Sequence, residues 1–295
     1  MRLSLWPNSI YPVADILAEA RAADADGWHG VWLADHYMPN TGDLTRADGP
    51  MHEVWGLLPA VAAVTSRVRV GTLVSPTTIH HPALLAKRAS AIDHVSDGRM
   101  VLGLGAGWQL NEHAAYGFEL PGAKALVDRF AEGLRITRSL LDEKRTTFHG
   151  TYFQVDDAPA EPHPVQARLP ILVGAKGPRM LRLTARYAQE WNTWGTPSSA
   201  GRVRHALLEA AEQVGRTEPL WTTTNWMLDL DGETPTSGRV TTGTLTELQE
   251  AVGQYAEQGF DEFILPTWNL GATTAERQER AARLKAEVFD PVLGG

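Results

Sequence analysis

The chain has 295 residues, 43% of them hydrophobic, with a formal net charge of −8 and no cysteine. That length suits one large core, and α/β barrels of this size are commonly single domains, so one domain spanning residues 1–295 is expected. The charge is spread without a basic run, which argues against nucleic acid or anionic membrane as a partner, and the missing cysteine excludes disulfides, thiolate metal sites and thiol nucleophiles.

The elements follow in a regular alternation. Leu3 to Trp6 reads as a first strand, and Val13, Ile16, Leu17 and Ala20 form a helical stripe after it. Gly30 to Asp35 reads as the second strand, running into a polar loop from His36 to His52. Trp55 to Thr65 is an apolar helix. The stretch from Val68 to Glu112 then gives an apolar run, a helix with Leu85, Ala89 and Ile92 on one face, and a second apolar run ending Gly105-Ala106-Gly107-Trp108. Such a βαβ unit pairs its strands in parallel. Short and longer helices are expected over Asn111–Gly117 and Val127–Leu141.

Between about 142 and 169 the rhythm breaks into a small hairpin and a proline-rich stretch, which we read as an insertion before strand five. Strands Ile171–Ala175, Glu190–Trp194, Leu220–Leu230 and Glu262–Thr267 then alternate with helices over Pro178–Ala188, Ser199–Val214, Thr246–Gln258 and Thr274–Val288. Eight strands and eight helices, with glycine at helix ends in Asp26-Gly27, Asp97-Gly98 and Gln258-Gly259, predict a (β/α)8 TIM barrel rather than a doubly wound open sheet. No run has membrane-spanning length and the N-terminus carries no secretory pattern, so the expected location is cytoplasmic.

Barrel chemistry gathers at the C-terminal ends of the strands. That face should collect Trp6, Asp35, His36, Val74, Ser75, Gly107, Trp108, Asn111, Glu112, Ala175, Lys176, Gly177, Trp194, Asp229 and Trp268. Four tryptophans in one mouth suggest a large planar ligand. His36 beside Asp35 offers an imidazole that a carboxylate neighbour can tune for proton transfer. The turn Gly174-Ala175-Lys176-Gly177-Pro178-Arg179 opens a helix, and its free N–H groups make an anion corner. Asn111-Glu112 with Asp229 would suit a retaining glycosidase, but that leaves the anion corner without a role. No metal site is expected, because strand one has Leu3-Ser4-Leu5 in place of spaced histidines and no HExxH occurs.

The runs ADHYMPN, GTLVSPTTIHHP, SDGRMVLGLGAGWQLNEHAAYG and VGAKGPRMLRLTARYAQEWNTWG, in that order, resemble the bacterial-luciferase-like superfamily and, within it, the coenzyme F420-dependent oxidoreductases. The resemblance implies a cis peptide between Leu73 and Val74 behind a flavin or deazaflavin ring, and His36 with Asp35 at the reactive part of the cofactor or substrate. It also implies a cofactor-phosphate site built from Gly107, Trp108, Ala175, Lys176, Gly177 and Arg179. Trp6, Trp55, Asn111, Trp194 and Trp268 are the expected substrate pocket. The implied activity is hydride transfer between F420 and a small organic substrate, with an FMN-dependent two-component monooxygenase and a non-catalytic flavin-binding protein as alternatives. A homodimer is implied, and a flavin or F420 reductase as a functional partner. Two departures stand out: Ala106 lies where FMN-using members often carry an arginine, and Trp108 lies where F420-dependent sugar-phosphate dehydrogenases carry a glutamate acid. The role of Glu112 is left open.

Overall fold

A computed structural model describes residues 1–230, 232 and 240–294. Eight parallel strands close into a barrel: β1 Arg2–Trp6, β2 Gly30–Leu33, β3 Arg69–Thr72, β4 Met100–Gly105, β5 Ile171–Gly174, β6 Glu190–Trp194, β7 Trp221–Asn225 and β8 Glu262–Pro266. Closure is visible in the register, since β1 pairs β8 from Arg2↔Glu262 to Trp6↔Pro266 and β2 on its other side at Leu5↔Val31. Most strand positions are buried because both faces of the sheet are covered, including the polar residues Thr222, Thr223, Thr224 and Asn225 of β7. Trp32, Leu73, Val101, Leu172 and Ile264 fill the inside of the barrel, while a larger apolar layer lies between the sheet and the helices.

Strand three departs from the simple pattern. It pairs β4 at Gly71↔Val101, breaks at a cis peptide between Leu73 and Val74, and resumes with Ser75↔Leu104. Four residues on β3 therefore span three on β4, which is a bulge. Val74 then leans over the neighbouring strands. A Cβ added at Gly105 would lie 2.7 Å from Val74 Cγ2, and one at Gly174 3.1 Å from it. Glycine on both strands is what lets the bulge close down on them.

Other boundaries shift for identifiable reasons. The second strand ends at Leu33, so Asp35 and His36 belong to the loop beyond it. The expected Leu220–Leu230 strand divides at Trp226: Trp221–Asn225 stays in the barrel, while Met227–Leu230 pairs in parallel with Val240–Gly243. The long helix starts early, at Ala123, because its first turn carries no apolar period by which the pattern could be read. The closing helix is α over Thr274–Arg283, with a reciprocal Thr273–Glu276 capping box, and widens to a π-helix over Leu284–Phe289. Within 142–169 the hairpin is present as the antiparallel strands Arg145–His149 and Gln154–Pro159, apart from the barrel sheet.

Candidate active site

A cavity of about 730 Å³ opens at the C-terminal ends of the strands. Its floor is the bulge, Leu73 and Val74, with Gly105 and Gly174 beneath. Ala106, Gly107 and Trp108 follow β4 along one wall, Ala175 and Lys176 follow β5 along another, and Trp6, Trp194 and Trp268 leave β1, β6 and β8. The three indoles pack on one another. Trp6 stands edge-on to Trp268 at 5.0 Å and to Trp194 at 6.0 Å, and Trp194 and Trp268 lie within 14° of parallel at 6.3 Å. Trp108 is a rim residue, 59% exposed, standing edge-on to His36 at 5.6 Å.

His36 reaches this cavity because the loop after β2 is strapped to the short helix Leu110–Tyr116 after β4. Gln109 Nε2 donates to Met38 O at 2.9 Å, Asn111 Nδ2 to Pro39 O at 2.9 Å, and the Tyr116 hydroxyl to Tyr37 O at 3.0 Å. Glu112, on the same helix, completes the strap: Tyr37 N donates to its Oε2 at 2.9 Å, and His36 Nδ1 lies 3.0 Å from its Oε1. A carboxylate only accepts, so Nδ1 carries the proton, and in the neutral tautomer the lone pair lies on Nε2. Burial, then the Asp35 and Glu53 charges, push the Tyr37 phenol far above its ordinary range, so it stays protonated.

Several expected site residues sit elsewhere. Asp35 is fully buried and outside the cavity lining. It accepts from Trp55 Nε1 at 3.0 Å, Ser75 Oγ at 2.5 Å and His80 Nε2 at 2.8 Å, all on Oδ2. Adjacent residues leaving a strand turn to opposite sides, so Asp35 ties the second leg of β3 to the loop after β2 while His36 faces the cavity. Trp55 is consumed as a donor in that knot and Asn111 in the strap, so neither lines the pocket. Gly177 is the N-cap of helix Pro178–Tyr187, outside the lining, and Arg179 turns outward to pair with Asp128 at 2.6 Å. The carboxylate beside His36 is Glu112 and not Asp35, and Glu112, whose role the sequence leaves open, lines the cavity. Asp229 is buried outside the lining, on the strand where Met227 faces the cavity. Met38, Met51, Met180 and Met227 also line it, and no motif in the chain groups them.

Residues 2–225 match the family described as luciferase-like monooxygenase. Over 202 residues the chain is 35% identical to an F420-dependent glucose-6-phosphate dehydrogenase of Kineococcus radiotolerans, an alignment covering 66% of this chain and 58% of that one. It spans between 49% and 58% of the length of that relative and two others carrying the same description. Among solved structures, an F420-dependent secondary alcohol dehydrogenase in complex with an F420–acetone adduct superposes with a TM-score of 0.83 at 18% identity, covering 99% of each chain. A monooxygenase from Streptomyces bottropensis does so with a TM-score of 0.79 at 21% identity, again over 99% of each. These neighbours share the barrel, and the match across residues 2–225 places the chain in the luciferase-like monooxygenase family.

Proposed function

We propose that this protein is an F420-dependent oxidoreductase that moves a hydride between the deazaflavin and a small organic substrate. One observation carries the reading: His36, its Nδ1 pinned by Glu112, lines the same cavity as the Leu73–Val74 bulge. The named activity of the Kineococcus relative supports it. The residues present fit a planar tricyclic ring with a phosphorylated tail. Glycine at 105 and 174 leaves room around Val74, where a side chain at 105 would collide and one at 174 would crowd it. Lys176, and the backbone N–H of Met180 in the opening turn of helix Pro178–Tyr187, whose glycine N-cap has no capping side chain, would supply donors for a phosphate.

Bound F420 would supply two-electron hydride chemistry. The chain supplies the rest. The bulge and indoles orient the reactants and exclude water. His36 Nε2 takes a proton from a substrate hydroxyl, or returns one to a carbonyl oxygen, and Glu112 holds the imidazole in the tautomer that can do so. Ala106 lines the wall where an FMN-using member would place an arginine, which favours the deazaflavin. Family resemblance further supports a homodimer in the cytoplasm; among the described residues no helix is long and apolar enough to cross a membrane.

The test is titration of the purified protein with F420, reduced F420 and FMN, followed by tryptophan fluorescence. Tighter binding of either F420 form is expected. Preferential binding of FMN, with oxygen-dependent turnover, would establish the two-component monooxygenase instead.

A further inference from the structure

We infer that the substrate is an uncharged alcohol, or the matching carbonyl compound, with a largely apolar body, and not a phosphorylated one. The inference rests on the deazaflavin reading above and deepens it. Among the described residues, the side chains lining the cavity that carry or can gain a charge are His36, Glu112 and Lys176. Glu112 is committed to His36 Nδ1 and Tyr37 N. Lys176 stands at the corner assigned to the cofactor phosphate. Nearby arginines are engaged elsewhere: Arg179 on Asp128, and Arg129 at Thr78 O and 3.7 Å from Glu119. A phosphate monoester brings about two negative charges at neutral pH, and desolvating them without a cation is prohibitive. A sugar phosphate would find no counter-charge beyond the one the cofactor needs.

The surfaces left for a substrate are mainly aromatic and thioether, beside the uncharged amides of Asn8, Asn40 and Gln109. Trp194 and Trp268 lie nearly parallel with Trp6 edge-on to both, and Met38, Met51 and Met227 are adaptable apolar groups that fill around irregular shapes. Among the described residues of the lining, His36 Nε2 is the atom assigned to proton transfer with the substrate. In oxidation the carbinol C–H bond breaks with its electron pair leaving as hydride to the deazaflavin. The O–H bond breaks with its proton going to His36, and the carbon–oxygen double bond forms. The substrate loses two electrons, the cofactor gains them, and the reverse direction uses the same groups.

The experiment first establishes F420 binding by tryptophan quenching. The loaded protein is then given glucose 6-phosphate, glucose, 2-propanol, cyclohexanol and 1-phenylethanol, with bleaching of oxidised F420 as readout; acetophenone and cyclohexanone are titrated in parallel by fluorescence. At least a tenfold rise in kcat/KM from 2-propanol to 1-phenylethanol is expected, with saturable quenching by the ketones and less than a hundredth of the 1-phenylethanol rate with glucose 6-phosphate. Trp268→Ala should raise KM for 1-phenylethanol at least tenfold, and Trp268→Phe should recover most of it. Faster turnover of glucose 6-phosphate than of any alcohol overturns the inference and leaves the deazaflavin reading standing. F420 binding with neither alcohol turnover nor ketone quenching also overturns it. Ketone quenching without F420 binding sinks the deazaflavin reading and supports the apolar pocket alone.

Discussion

The two mouths of the barrel use similar residues in opposite ways. At the N-terminal mouth Trp32 and Trp221 both donate through Nε1 to Glu262, each at 2.9 Å, and Arg69 bridges Glu190 and Glu262. At the C-terminal mouth the Nε1 groups of Trp6 and Trp194 are buried with no hydrogen-bond partner among the described residues, and the indoles face a cavity. An unpartnered donor costs stability, so the indoles of the upper mouth are less well satisfied than those of the lower. The lower mouth binds its indoles into an ionic cluster; the upper spends indole surface on lining a space for something else. Barrel enzymes divide stability from chemistry along this axis.

Removing His36 tests the chemical end most directly. His36→Ala should lower turnover by about 10²- to 10⁴-fold, with F420 affinity changed only a few-fold, as read by steady-state rates and fluorescence titration. Equal losses in both would make His36 a binding residue. Glu112→Gln should cost about 10- to 100-fold in rate and alter the pH profile, because a neutral amide no longer fixes the imidazole tautomer.

Glu262→Ala probes the other end. It strands the Trp32 and Trp221 donors and one contact of Arg69, and the expected loss is about 3 kcal/mol in denaturant unfolding. The fraction that remains folded should bind F420 normally, and weakened cofactor binding would erase the division between the mouths. Gly105→Ala brings the two together at the bulge. The added methyl meets Val74, so about 1–3 kcal/mol of stability should be lost, along with cofactor affinity.

The smallest effect belongs to neither mouth. Burial alone would raise Asp24, but backbone donors from Ser66, Arg67 and Val68 outweigh it and hold the carboxyl below its ordinary 3.8. A depressed folded value means the stabilisation is complete above the ordinary range and is lost as pH falls through the folded value. Asp24→Asn should therefore flatten stability against pH below about 4; an unchanged slope would show these bonds add nothing.

Much of this was legible in the chain. Apolar runs alternating with helical stripes, and glycines at helix ends, suffice for a barrel, because periodicity and turn chemistry are local properties. The positions of Trp6, Trp194 and Trp268 follow from the same reasoning, since two end strands, the third lies two residues past one, and barrel strands end at one mouth. His36 was found that way too. Its partner was not. Asp35 is adjacent in sequence, whereas Glu112 is 76 positions away and meets His36 only because one loop is strapped to another element.

What the sequence by itself determined, then, is the succession of elements and which residues stand at strand ends, because each is set by a few neighbouring side chains. Only the tertiary structure decided which way those residues turn. Asp35 goes inward to Trp55, Ser75 and His80, Arg179 goes outward to Asp128, and Glu112 comes from the short helix after β4 to hold His36. Those choices depend on buried hydrogen bonds and ion pairs between residues far apart in the chain. Their partners are named by the packing of the barrel, and no local pattern contains them.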